Sequence, residues 1–432
     1  ATPDDKVWSV SAAYGVRVPI GRTGADRLQH LDLGTGTAQH ALVSGKTGSG
    51  KSTLFHVLIA NTALWYGPGE VEFYLIDFKK GVEFKIFANH RLPHARVIAI
   101  ESDREFGVSV LRRIDRELRD RGERFRAAGV QDLAAYRRTN PEEALPRTLL
   151  LIDEFQEFFT EDDAIAQEAA LLLDRFVRQG RAFGVHVLLG SQTLSGVYTL
   201  AKSTLGQMAV RIALQCNEAD SYLILSDDNA AARLLARPGE AIYNDMSGLV
   251  EGNSPFQVVW LPSEEEEAVL DRVADKAADE EARPEESCVV FEGNAPAVLG
   301  ENVQLAACLD RPFAPDEVAE RVWLGEPNAI KGPTEVILSH EGGNNLLIVG
   351  QRPDAALGMV AASVVSLAAA HAPPDLRVLV VDGSQAETGF AERFAALTEA
   401  VPQRAEVVSP ARLADTITAL HERVTSAPAD GA

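Results

Sequence analysis

The sequence is poor in cysteine, and none of its thiols stands where a partner would complete a familiar set. Cys216, Cys288 and Cys308 lie far apart, which excludes a disulfide framework and leaves no pair at metal-ligand or redox spacing, so all three read as bland thiols in a reducing compartment. Long apolar runs are missing too. The longest weakly polar stretch, Gly358 to Ala370, is alanine-rich, broken by Ser363 and Ser366, and shorter than the ~20 residues that span a bilayer. Positive charge is also scarce: 41 Lys and Arg face 63 Asp and Glu, a net of −22, which argues against a surface coated with phosphate-binding residues. The chain opens on Ala1 without a basic start and an apolar core, so no signal peptide is expected, and a piece of a longer protein is.

The charge deficit is uneven. Residues 1–262 carry 29 basic and 33 acidic side chains, whereas residues 263–432 carry 12 and 30, so nucleic acid is not excluded as a partner of the first part. With 432 residues and 46% hydrophobic side chains, two to three domains are expected.

Short strands are predicted near Val16–Ile20 and Gln39–Val43, and the second runs into GKTGSGKS. Gly45, Lys46, Thr47, Gly48, Ser49, Gly50, Lys51, Ser52 and Thr53 have the spacing at which successive backbone N–H groups surround phosphate oxygens, with a helical run following. Such a loop binds ATP with Mg²⁺: Lys51 reaches the β- and γ-phosphates, Ser52 holds the metal, and the helix N-terminus adds its dipole. An apolar strand, Val71–Phe78, ends in Asp77, and a third, Ala95–Ile100, precedes a charged helix from Glu101 to about Ala128 that reads as a solvated face.

Thr148–Phe155, TLLLIDEF, has the form of the second nucleotide motif. Asp153 fits the Mg²⁺ shell, and Glu154 fits the role of orienting water for in-line attack. The strand Val185–Gly190 carries Ser191, Gln192 and Thr193 at its C-terminal end, where open α/β sheets bind ligands, and Gln192 fits a γ-phosphate sensor. Arg178, Arg181 and Arg211 are candidates for an arginine finger acting on a neighbouring subunit.

The set GKTGSGKS, LIDFKKGVEF, LLLIDEF, RQGRAFGVHVLLGSQ and RIALQ, in this order, resembles the motor domain of the FtsK/SpoIIIE superfamily, which includes the EccC ATPases of type VII secretion. The resemblance covers about residues 8 to 262. It implies a RecA-like α/β fold with a mainly parallel sheet, and a homo-oligomer (a hexameric ring) or stacked tandem motor domains. By matched position it assigns phosphate and metal binding to Lys51 and Ser52, the acidic pair to Asp153 and Glu154, and sensing to Gln192. It makes Arg211 the preferred finger. Asp220 and Ser221 lie in NEADSYLIL, which also resembles the family, with no role assigned.

Residues 263–287 hold 11 acids against three bases, so 263–312 is expected to be a solvated, partly helical linker between a motor domain at 1–262 and a second domain at 313–432. In the latter, NLLIVGQRPDAALGM and LRVLVVDG repeat the motor's loop and strand: Gly350 stands to Gly45 as Asp382 to Asp77, both 305 residues apart. Ala355, Ala356 and Leu357 replace Gly50, Lys51 and Ser52, so this partial, degenerate copy is expected not to catalyse. Its second acidic strand would fall beyond Ala432, which implies a chain that continues.

Two functions share this chemistry. The first is an ATP-driven translocase of double-stranded DNA. The alternative is an EccC-like motor for a secreted protein substrate, favoured by LIDFKKG and by tandem copies. Both imply a cytoplasmic motor at the inner face of the membrane, working with a membrane-anchored partner or segment outside this chain.

Overall fold

The computed structural model describes residues 6–79, 83–143, 145–194, 202–280, 288–293, 295–311, 320–338, 345–383 and 390–426. The chain forms two compact units, 1–295 and 296–432.

The first unit begins with the hairpin β1 (Val16–Thr23) and β2 (Arg27–Leu33), then β3 (Ala41–Ser44), α1 (Lys51–Trp65), β4 (Val71–Asp77), α2 (Lys85–Asn89), β5 (Ala95–Ile100) and α3 (Arg104–Ala127). It continues through α4 (Leu133–Thr139), β6 (Arg147–Asp153), α5 (Ala164–Phe183), β7 (Val185–Ser191), α6 (Lys202–Gly206), β8 (Val210–Leu214) and α7 (Glu218–Ile224). It closes with β9 (Glu240–Asn244), β10 (Ser254–Val258), α8 (Ser263–Asp279) and β11 (Val289–Glu292). These strands make an 11-stranded sheet, ordered β11-β5-β4-β6-β7-β3-β8-β9-β10-β1-β2. From β11 to β8 every pairing is parallel; from β8 to β2 every pairing is antiparallel.

The central strands β4, β6 and β7 are buried at every residue, which is why they read as continuous apolar runs: helices cover both faces of a parallel sheet. Helix α1 is apolar all round and largely buried. Helix α3 is amphipathic and starts where the Asp103 carboxylate accepts the Phe106 N–H at 2.8 Å. Its charged face is not wholly solvated, as the sequence suggested. Arg121 is fully buried and donates to the Phe183 carbonyl at 2.7 Å and to Thr148 Oγ1 at 3.1 Å, with Glu117 and Glu72 as counter-ions.

The expected boundary at residue 262 moves as well. Helix α8 is no solvated spacer: Leu270, Val273 and Ala277 repeat at helical spacing and are buried, its Glu266 meets His56 Nδ1 of α1 at 2.7 Å, and Lys276 lies 5.5 Å over the Trp8 ring. Strand β11 then extends the sheet beside β5, and Phe291 stacks on Phe106 at 3.9 Å. Charge density concealed an apolar stripe.

The second unit contains α9 (Val303–Leu309), β12 (Glu320–Gly325), β13 (Thr334–Leu338), α10 (Pro353–Ala370), β14 (Arg377–Val381), α11 (Phe390–Ala400), β15 (Arg404–Val408) and α12 (Leu413–Ser426). It repeats the first unit's order of elements: the antiparallel pair β12–β13 answers β1–β2, α10 answers α1, and the parallel pair β14–β15 answers β4–β5. Helices α1 and α10 end at Trp65 and Ala370, again 305 residues apart. Residues 345–350, the counterpart of β3, form no strand. By length and composition α10 is apolar enough to cross a membrane, which the sequence reading excluded. Its C-terminal half packs against β12 and α9, with Ser366 Oγ accepting the Trp323 N–H of β12 at 3.2 Å and Ala369 buried beside Trp323 and Leu305.

Candidate nucleotide site

The sheet brings the sequence-predicted residues to one edge, at the C-terminal ends of β3, β6 and β7. Strand β3 delivers the glycine loop, whose Gly48 and Gly50 have φ of +78° and +102°; side chains rarely adopt these angles, so glycine is required for the turn into α1. The loop is tied down at its base. Gly45 N–H donates to the Ser191 carbonyl at 3.2 Å, and Lys46 N–H to the Gln215 carbonyl at 2.9 Å.

Strands β4 and β6 pair in register, setting Asp77 beside Asp153. Lys51, Asp153 and Glu154 are all nearly buried. Lys51 Nζ is hydrogen-bonded to Asp153 Oδ1 and donates to Glu154 Oε1 at 2.8 Å. Glu154 has left-handed φ and ψ of 54° and 46°, a strained setting for a non-glycine residue. Four donors hold it: Lys51, Gln156 Nε2 at 2.7 Å, Gln192 Nε2 at 2.8 Å and Gln192 N–H at 3.1 Å. Gln192 in turn accepts Thr47 Oγ1 at 2.9 Å, which links the sensor position to the phosphate loop. A side chain at Gly190 would come within 2.7 Å of the Asp153 carboxylate and within 2.6 Å of Phe55. Only glycine leaves room there for the acidic pair.

Burial raises the pKa of Asp153, with Lys51 offsetting part of the effect. Burial also opposes ionisation of Glu154, but the Lys51 charge and the donors around its carboxylate outweigh it and hold the group below its ordinary value. Asp77 is pushed up to about 7, chiefly by burial, although Lys79 N–H donates to its Oδ1 at 2.9 Å. Its Oδ2 is buried and has no hydrogen-bond partner among the described residues. The carboxylates of Asp153 and Glu154, the Ser52 hydroxyl and the left-handed loop are the donor set that Mg²⁺ and a triphosphate require.

Arg211 does not serve as expected. Its guanidinium is buried in β8 and donates to the carbonyls of Met208 at 2.9 Å, Ile224 at 2.8 Å, Leu205 at 2.9 Å and Leu225 at 3.4 Å. Each of its three nitrogens is bonded inside the unit, and the group is buried and not presented to a neighbour. Of the other two candidates, Arg178 is exposed and paired with Asp174 at 2.7 Å, and Arg181 is exposed. Asp220, left without a role, accepts Thr193 Oγ1 at 2.9 Å and Leu194 N–H at 3.1 Å, pinning the segment that follows the Gln192 position. Ser221 accepts Ala232 N–H at 3.2 Å inside the same fold. Sequence reasoning missed Gln156, two residues beyond Glu154, and the far wall of the cleft, where Pro238, Gly239, Gln257, Val258, Val259 and Trp260 face the loop across about 430 Å³.

Residues 12–196 match the FtsK/SpoIIIE family. The match lies wholly within the first unit. Over 260 residues, 58% of its length, the chain is 32% identical to the ESX secretion system protein EccC of Geobacillus thermodenitrificans, of which the match spans 17%. Among solved structures it is similar to the cytoplasmic domain of the Thermomonospora curvata type VII secretion ATPase EccC, with a TM-score of 0.64, 23% identity, and coverage of 99% of this chain and 51% of that one. It is also similar to ATPases 2 and 3 of Thermomonospora curvata EccC in complex with a signal sequence peptide, with a TM-score of 0.52 and 17% identity over 98% of this chain and 72% of that one. The relatives named here are secretion proteins, and the chain spans about a sixth of the length of the curated relative. The likeness of both structures to the whole chain fits a repeated RecA-like α/β fold.

Proposed function

We propose that the chain is an EccC-like motor, in which the first unit binds and hydrolyses Mg·ATP to drive the export of a secreted polypeptide. The observation that carries the reading is the convergence of the glycine loop, Lys51, Asp153, Glu154 and Gln192 on one cleft. The backbone of Gly45 to Thr53 cradles the phosphates, and Lys51 exchanges its carboxylate partners for phosphate oxygens. Ser52 and Asp153 would hold Mg²⁺, and the bound ion would supply positive charge against the phosphates. Glu154, ionised and fixed by Gln156 and Gln192, takes the proton of the attacking water, and Gln192 reports the loop's occupancy through Thr47. The second unit lacks the matching lysine and hydroxyl, Ala356 and Leu357 standing in their places, and takes a structural or regulatory part. The protein works at the cytoplasmic face of the membrane, in a homo-oligomer or a stack of motor units.

Double-stranded DNA, the first reading of the sequence, gives way because the relatives named above are secretion proteins. Steady-state ATP hydrolysis with and without long duplex DNA tests the choice, with Lys51→Ala as the blank. A rate that Lys51→Ala abolishes and DNA leaves unchanged is expected; several-fold stimulation by DNA would restore the translocase.

A further inference from the structure

The far wall of the nucleotide cleft is apolar where the near wall is charged. Lys46, Lys51, Lys79, Glu83 and Glu154 line one side, and Pro238, Val258, Val259 and Trp260 the other. The wall is fastened to the phosphate loop: Gly239 N–H donates to the Ser49 carbonyl at 2.8 Å, and Val258 N–H to the Gly239 carbonyl at 2.8 Å. A Cβ on Gly50 would lie 3.2 Å from the Gly239 nitrogen, so the two backbones are in near contact. Gln257 Nε2 of β10 donates to the Pro238 carbonyl at 3.1 Å and braces the segment that leads into β9. Loop and wall are therefore joined backbone to backbone.

Trp260 sits at its rim, just beyond β10, and is 76% exposed, more than any other large apolar side chain described in the first unit. An indole is costly to leave in water, and its flat π-face suits a flat ligand. A cleft lined both by the cations of the phosphate loop and by an exposed aromatic side chain matches a molecule that carries both a polyphosphate and a planar base. We infer that Trp260 is the stacking platform for the nucleobase, with Val259 and Pro238 completing the apolar slot. This rests on the reading of the cleft as the nucleotide site, and makes Trp260 a binding residue for the base and not for the phosphates.

Titration of Mg·ATP and of inorganic tripolyphosphate into the wild-type chain, Trp260→Ala and Trp260→Phe separates the two readings, since both ligands use the loop but only one has a base. The wild type should bind ATP more tightly than tripolyphosphate. Trp260→Ala should weaken ATP about tenfold, the scale of one base–aromatic stack, without changing tripolyphosphate, and Trp260→Phe should restore most of the loss. ATP, unlike tripolyphosphate, should also quench indole emission in the wild type, and the quench should vanish in Trp260→Phe. ATP affinity within twofold of wild type in Trp260→Ala, or an equal loss for both ligands, overturns the platform while leaving the nucleotide site intact. Failure of the wild type to bind either ligand overturns the site and the platform together.

Discussion

Glu154 is where residue chemistry is most constrained: a carboxylate held ionised in a buried setting by one cation and three amide donors. Glu154→Gln should slow hydrolysis about 10²- to 10⁴-fold while ATP binding by equilibrium titration is retained, because the phosphate loop is untouched. Asp77 behaves oppositely. Its pKa in the fold, about 7, lies above the value of 3.8 for an unconstrained carboxyl, so its stabilising protonated form is complete below the unfolded value and is lost as pH rises through 7. Asp77→Asn, a neutral stand-in, should leave the melting temperature near wild type at pH 4 and raise it by several degrees at pH 8. The acidic pair was legible from TLLLIDEF because a strand-end Asp-Glu behind a glycine loop has few other meanings. Gln156 was not, since nothing in the spacing says that a side chain two residues on folds back onto Glu154.

Elements set the fate of the arginines and of the acidic segment. Arg211 sits in β8 where the chain leaves carbonyls of α6 and α7 pointing inward, and the guanidinium satisfies them. Arg211→Ala should cost on the order of 2–5 kcal/mol in denaturant unfolding, and any loss of hydrolysis should follow loss of folded protein. Helix α8 shows how charge density misleads: four consecutive glutamates, Glu264 to Glu267, suggest solvent, yet Leu270, Val273 and Ala277 recur at helical spacing and pack on the core. Leu270→Ala should cost about 2–5 kcal/mol. A chain ending at residue 262 should accordingly melt well below one ending at 295, as thermal scans of the two would show.

On the scale of the whole molecule the duplication is the organising fact. Equal spacing of loop glycine and strand-end acid announced it, and the hairpin, helix and parallel strand pair of the second unit extend it. A single nucleotide should bind per chain, and Lys51→Ala should leave no second binding isotherm, because Ala355, Ala356 and Leu357 offer neither the cation nor the metal hydroxyl. The choice between secretion and DNA movement was legible only in part: LIDFKKG and the tandem copies pointed to secretion, whereas charge balance left both open.

By itself the sequence determined the glycine loop, the strand-end acidic pair and the repeat, since each depends on residue types at fixed spacing along a strand or a turn. Tertiary structure decided which arginine is spent inside the core, where the first unit ends, and that β10 brings Trp260 to the loop. The arginine's fate depends on carbonyls that only the folded turns around β8 direct inward, and the other two on surfaces that meet across about 200 residues of chain; local spacing carries no record of either.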